Sequence, residues 1–456
     1  MIRTSALAIL ALVPMSVSAQ EDYESRELTL PEVISLALNQ NLFLQRSEIQ
    51  IELRENDVIA EKAEFSPNLT GSSGGTLRYS GDGRDAVWKT GEFSRSANAS
   101  LNSSIVLYRG EERDASLERA KASLEASIRD YDRSQQQILF QAVSRYLEAI
   151  LRFKEIDIQA EELATREENL ERIIVDYEAE VRIMADVQRQ KALVADSQRR
   201  LDAAKRAYQN SLYLLKDLLL IPPRDAIALN LDETEWLEPE NLDTPSIEES
   251  LARVFDRPDL LAQKFRIDAA EQSVRAARSG RKLTVSASAN ARTSYNNNNP
   301  FGGFQAQFLE NQPEVSGGVS FSLPIFDRRR TETNIVRARL QQNQEELDLR
   351  DLEQVAETDL RLAALNFNTA KLQLQSSIEL LKSAEIALEA EQARYEAGAA
   401  TLLDVTTLQS TRLDAAVSVE ESRFDLFVNR LDIAFQDGTI ETFLLNQLNT
   451  NIPGLE

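Results

Sequence analysis

The chain of 456 residues contains no cysteine and no histidine. The first absence excludes a disulfide framework and a lipid-modified cysteine behind a leader. The two together exclude Ser-His-Asp and Cys-His catalysis, the usual zinc sites and haem held by His or Cys. Only three methionines remain, so nothing suggests a soft-metal path. Neither G-x-x-x-x-G-K-[ST] nor G-x-G-x-x-G occurs, and the residues imply no cofactor. Beyond the first twenty residues no run approaches the roughly 20 apolar residues of a transmembrane helix. A membrane location would therefore require a β-barrel, because only helices and closed barrels satisfy every backbone group in lipid. Basic residues are in the minority, 51 against 74 acidic, for a net charge of −23. That balance disfavours nucleic acid as a partner. A glycosidase-type acid pair is compatible with so many carboxylates, yet nothing singles out two of them. Most of the charge reads as solvated helix faces, and no constellation points to an enzyme.

Glycine and proline are scarce in a patterned way. Neither occurs from Glu111 to Ile221 or from Ile325 to Ala397, while twelve of the fifteen glycines lie within 71–110 and 280–318. These residues punctuate helices and supply turns. Their absence predicts uninterrupted helices of roughly 70 residues, on the order of 100 Å long. Ahead of them, residues 1–19 have the layout of a secretory signal: Arg3, the apolar stretch Ala6 to Val13, and Val17-Ser18-Ala19 before Gln20.

The chain repeats itself. Leu107-Tyr108-Arg109, Tyr177 and Asp186 have counterparts in Ile325-Phe326-Asp327, Tyr395 and Asp404, each 218 residues later, and Leu69 and Leu283 open similar stretches. Duplication explains such constant spacing. The first repeat covers 20–235 and the second 236–456, joined by a segment with Pro222, Pro223, Pro239 and Pro245. Each reads helix, strand pair, very long helix, turn, helix. The strands are expected at 69–80 and 94–108, then 283–295 and 313–325, with turns near 180–186 and 398–404. Thr29-Leu30-Pro31-Glu32 and Thr244-Pro245-Ser246 ahead of Ile247-Glu248-Glu249 mark helix starts. Leu139, Ala142, Tyr146, Ala149, Phe153, Ile156, Ala160 and Leu163 follow the 3-4 spacing of a coiled-coil seam.

In the glycine-rich windows the period falls to two. Ala97, Ala99, Leu101, Ile105 and Leu107 alternate with Ser96, Asn98, Ser100 and Asn102, and Val285, Ala287, Ala289 and Ala291 with Ser286, Ser288 and Asn290. This suits a transmembrane barrel strand, lipid on one side and water on the other, and equally a half-exposed sheet of a soluble domain. Four strands cannot close a barrel, so the barrel reading requires several chains, and three would supply twelve strands. Trp88 and Phe93 fit either an interfacial aromatic belt or loop packing, and Arg328-Arg329-Arg330 either a membrane edge or a solvated helix start.

Arg394-Tyr395-Glu396-Ala397-Gly398, continuing to Asp404-Val405, resembles the signature of the TolC-like outer-membrane efflux proteins, as Leu323-Pro324-Ile325-Phe326-Asp327 resembles their strand-to-helix passage. The resemblance covers essentially all of the chain after the leader. It implies a mainly α fold with a small β part: duplicated coiled-coil hairpins and four transmembrane strands per chain. Three chains would assemble as a trimeric twelve-stranded β-barrel on an α-helical barrel in the outer membrane of a Gram-negative-type bacterium. It also implies a passive exit duct working with an inner-membrane pump and a periplasmic adaptor. By the same resemblance Tyr395, Gly398 and Asp404, with Tyr177 and Asp186 in the first half, fall at the periplasmic aperture. Asp186 and Asp404 also suit helix capping. Two departures stand out: Glu180 occupies the place of the turn glycine, and Ala400 and Thr407 stand where some relatives carry an Arg and a second Asp. A secreted or periplasmic coiled-coil protein, adaptor or structural, accounts for the helices but not for the recurring strand pairs.

Overall fold

The computed structural model describes residues 26–81, 91–230, 246–299, 302–311 and 313–448. The expected leader, residues 82–90 with Trp88, and the part of the inter-repeat join holding Pro239 and Pro245 lie outside them.

Two helices of 67 residues run the length of the molecule, α3 (Glu112–Glu178) and α7 (Arg330–Glu396). Each turns back into a shorter helix, α4 (Met184–Leu219) or α8 (Leu402–Gln436). Before each long helix stands a 22-residue helix, α2 (Leu42–Ala63) or α6 (Pro258–Ser279), and a strand pair. The starts and ends of α3 recur in α7 218 residues on, and those of α2 recur in α6 216 residues on. Even the rare backbone conformations repeat. Gly110 and Arg328, Glu111 and Arg329, Glu180 and Gly398, and Leu220 and Gly438 form four pairs, each 218 apart, and all eight residues have positive φ. Most side chains avoid that region, so its recurrence marks the duplication at the level of backbone geometry.

The strands are β2 (Asn68–Gly81), β3 (Gly91–Arg109), β5 (Thr284–Asn296) and β6 (Glu314–Ser322). They form one antiparallel sheet in the order β2-β3-β5-β6. The last strand is shorter than the expected 313–325: Leu323-Pro324-Ile325 lies beyond it, since proline has no N–H to give to a ladder. The register sorts the side chains cleanly. Leu69, Leu77, Phe93, Leu101, Ile105, Val285, Ala289, Val315, Val319 and Phe321 share one face, and Ser72, Ser100, Asn102, Ser288, Asn290, Ser316 and Ser320 the other. On the polar face the hydroxyls of Ser72 and Ser100 lie 2.8 Å apart, and those of Ser286 and Ser320 2.7 Å apart. The apolar face is bare, Phe321 being 70% and Val315 82% exposed.

The main core lies at mid-length. Strands β1 (Arg26–Leu28) and β4 (Ile227–Leu229) pair in parallel. With helices α1 (Leu30–Gln40) and α9 (Ile440–Leu448) they wrap the middle of α3. Leu28, Ile34, Leu139, Tyr146, Leu215 and Phe427 are fully buried there, and the Tyr146 hydroxyl donates to the Asn230 carbonyl at 3.0 Å. α1 opens on the expected Thr29–Glu32 capping box, and α5 (Ile247–Arg253) on Ser246. The expected seam holds from Leu139 to Ala149 and then drifts. Phe153 and Ile156 are half-buried and Ala160 is exposed, while Glu155 and Glu162 have turned inward, and of the later positions only Leu163 is buried as expected. A straight helix slips about 20° per heptad against a 3.5-residue stripe, and α3 changes neighbours from α2 and α6 to α4 and α8 along its length.

Candidate functional site

The two hairpin ends lie farthest from the sheet. At the second, α7 stops at Glu396 and Gly398 takes φ 75. The Ala399 N–H then donates to the Arg394 carbonyl at 2.8 Å and the Gly398 N–H to Tyr395 at 3.0 Å, closing a Schellman turn. The first end repeats this bond for bond: Val181 to Asp176 at 2.8 Å and Glu180 to Tyr177 at 3.0 Å, with Glu180 at φ 61. The geometry is therefore the glycine geometry, and Glu180 carries its strain. The cost of a left-handed non-glycine residue is about 1–2 kcal/mol. Two hydrogen bonds at about 1 kcal/mol each offset it.

The next helices start differently. Thr401 (φ −97, ψ 157) and Asp404 make a reciprocal capping box: the Asp404 carboxylate accepts from the Thr401 N–H at 3.0 Å and hydroxyl at 2.7 Å. These bonds hold the exposed Asp404 carboxyl below its ordinary range. In the first half Ile183 occupies the same backbone (φ −99, ψ 153) with no side-chain cap, so Asp186 lacks the reciprocal partner. Capping, open to both aspartates on sequence grounds, belongs to Asp404.

Between the hairpins lies a small mixed cluster. Tyr395 packs against Ile173, Val187 and Leu402, which come from α3, α4 and α8. The Arg182 guanidinium stands over the Tyr395 ring, 4.3 Å from its centroid, and 3.7 Å from the Asp176 carboxylate. The Tyr395 hydroxyl is buried without a hydrogen-bond partner. Burial raises its pKa, Arg182 opposes the rise, and the negative charges of Asp186 and Asp176 add to it. The structure thus unites Tyr395, Asp176 and Arg182 from two hairpins around a groove of about 520 Å³, while Asp186 acts on Tyr395 through its charge without lining the groove. Tyr177 and Asp404 are exposed and line no part of it, and a Cβ built on Gly398 would meet nothing within 4 Å.

Behind the groove a polar layer ties three helices. The buried Arg166 Nε lies 2.5 Å from Glu162, its Nη2 donates to the Ser410 hydroxyl at 3.2 Å, and Gln190 donates to the Arg166 carbonyl at 3.0 Å. Sequence reading missed Arg182, Asp176 and Gln190, because no motif links the first hairpin, which carries all three, to Tyr395 on the second. Among the described residues there is no cluster of three or more His, Cys, Asp or Glu able to hold a metal ion, and no helix long and apolar enough to cross a membrane. Carboxylates and a guanidinium here can hold helices together and set a local field. They do not make a nucleophile–base pair.

The model of the outer membrane efflux protein family matches residues 33–219 and 249–423. Outer membrane protein TolC of Escherichia coli (strain K12) is 25% identical over 194 residues, 42% of this chain and 39% of that protein. The matched stretch thus spans well under half of the curated relative. The solved structure of CusC superposes with a TM-score of 0.78 at 16% identity, covering 94% of this chain and 99% of its own. The outer membrane channel CmeC of Campylobacter jejuni gives 0.75 at 17% identity, with 92% and 89% covered. At such identities the superpositions speak for the fold, and the family rests on the two long matched stretches. The chain belongs to the outer membrane efflux protein family, whose place is the outer membrane.

Proposed function

We propose that three copies of this chain form a passive exit duct, with a twelve-stranded barrel in outer-membrane lipid and a helical tube reaching into the periplasm. The observation that carries the reading is the sheet. It has one bare apolar face, one hydroxyl- and amide-rich face, and two free outer edges, and it passes directly into helices long enough to extend about 100 Å. An apolar face of this kind suits lipid, and free edges are untenable there until a neighbour pairs with them. The duct performs no covalent step, so an inner-membrane pump supplies the energy and a periplasmic adaptor docks at the hairpin ends. Tyr395, Asp186, Gly398, Asp404 and Tyr177 belong to the aperture, where three Asp404 carboxylates around the axis favour cations. A secreted or periplasmic coiled-coil protein has no use for the bare sheet face.

Fractionation and planar-bilayer conductance test this. The protein should partition with outer membranes and form cation-preferring pores, and Asp404→Asn should lower that preference. A water-soluble protein without a membrane fraction would overturn the reading.

A further inference from the structure

On the apolar face of the sheet one residue does not belong. Among the described residues every side chain there is apolar, small or hydroxylated except that of Arg95, which stands on β3 opposite Leu77. It is exposed, and among the described residues no carboxylate bridges to its guanidinium. A lipid-facing arginine is costly at the bilayer midplane and nearly free at the membrane surface. From Tyr108, at the helical end of β3, to Arg95 the strand runs about 40 Å, roughly 30 Å along the membrane normal at a tilt of about 45°. An apolar band about 25 Å tall therefore ends below Arg95, which lies among the outer headgroups. The rings of Tyr79 and Phe93, 5.1 Å apart between centroids, mark the same level as an interfacial belt would.

Toward the midplane from Arg95 the same face is hollowed. Between β5 and β6 a π-helical turn, Ala306–Asn311, folds back over it. Specific bonds hold that turn in place. The buried Gln307 donates to the Gly302 carbonyl at 2.6 Å and accepts from the Asn296 N–H at 3.0 Å, and the Thr293 hydroxyl donates to the Phe308 carbonyl at 2.6 Å. Phe304 packs between Tyr295 and Phe308, with ring centroids 5.2 and 4.9 Å away. Beneath the turn lies a groove of about 540 Å³. Its floor is the row Gly71, Leu101, Ala291 and Val315, which crosses all four strands, and Phe308 and Leu309 form its wall.

We infer that each chain holds one phosphorylated lipid of the outer leaflet, its phosphate on the Arg95 guanidinium and one acyl chain running past Ala97 and Ala99 into the groove. The two ends of the site call for different parts of one molecule. A guanidinium at headgroup level binds phosphate through paired N–H donors, and an apolar slot inside the band takes hydrocarbon. Free phosphate would satisfy only the first end and a detergent tail only the second. Arg95 and Ala99, which lines the near end of the groove, are about 13 Å apart along the strand, less than the length of a fatty acyl chain. At the helical end of the face the last row is Tyr108, Val285 and Phe321, with no charge, so the site belongs to the outer leaflet. The inference rests on the barrel reading above and adds a ligand that the barrel carries.

Native mass spectrometry of the protein extracted from outer membranes into mild detergent tests this. After delipidation, lipopolysaccharide added back should bind at one molecule per chain. Arg95→Gln should weaken that binding by about tenfold through the lost charge-assisted bonds, and Ala291→Phe by about as much by filling the slot. Arg95→Lys should keep most of the affinity, and Ala287→Phe, on the same strand and face but outside the groove, should bind as the unaltered protein does. The trimer mass in the same spectra shows that each variant has assembled. Unchanged binding by assembled Arg95→Gln or Ala291→Phe would overturn the site, as would an equal loss in assembled Ala287→Phe. Preference for phosphatidylglycerol over lipopolysaccharide would overturn the leaflet assignment. In each of these cases the barrel reading would still stand. Protein recovered only as water-soluble single chains would overturn that reading together with the site.

Discussion

The two hairpin ends share a backbone and differ at the residues that set it, Glu180 against Gly398 in the turn and Ile183 against Thr401 at the N-cap. Gly398 and Glu180 adopt the same left-handed turn with the same two hydrogen bonds, and Thr401 and Ile183 the same extended N-cap. The second end has the residues the geometry favours. The first retains the geometry with residues that oppose it, held by two helices that must reverse at that point and by the cluster around Arg182 and Tyr395. A conformation set by topology survives the loss of its local signal.

Substitutions can break or sharpen that contrast. The largest effect is expected where the halves differ most in space, at the junction of sheet and helix. Gly110→Ala adds a Cβ at φ 57 against Lys282 and should cost about 2–3 kcal/mol. Arg328→Ala, at the equivalent place in the second half, should change local stability by less than about 0.5 kcal/mol. Hydrogen exchange across the first turns of α3 and α7 reads both.

At the hairpin ends, Glu180→Gly should stabilise the first turn by about 1 kcal/mol, and Gly398→Glu should destabilise the second by a similar amount. Protection of the amides of 176–186 and 394–404 should rise and fall by about fivefold respectively. Thr401→Ala removes the capping box and should cost about 1 kcal/mol. Ile183→Thr, which places a threonine three residues before Asp186, should stabilise the first end by roughly half of that.

The smallest effect is one of pH. The folded Asp404 carboxyl is held below its unfolded value, so its contribution is complete above the unfolded pKa and fades as pH falls through the lowered one. Protection at the second end should therefore weaken below about pH 4, and Thr401→Ala, which removes the hydroxyl but keeps the backbone N–H bond to Asp404, should reduce that dependence.

Much of this architecture was legible in the sequence for definite reasons. Missing Gly and Pro marked the long helices, period-two alternation marked the sheet faces, and the spacing from Tyr177 to Tyr395 marked the duplication. Gly398 announced its turn because glycine is the residue that left-handed backbone favours. Glu180 announced nothing, since its conformation comes from the helices on either side. The Arg182–Tyr395 contact was equally silent: it joins residues more than 200 positions apart, and neither belongs to a motif with the other. The seam beyond Phe153 misled because a 3-4 pattern records one partner helix, and α3 has several in succession. The free outer edges of the sheet became visible only in the folded chain.

The central claim is that free sheet edges and bare helix faces close through further copies of the chain. Electron cryomicroscopy of the protein extracted from outer membranes into detergent tests it most directly. The account predicts a three-fold tube, with twelve strands inside the micelle and a helical stem on the order of 100 Å. An isolated four-stranded sheet on a soluble rod, or a ring whose β6 and β2 edges do not meet, would contradict it.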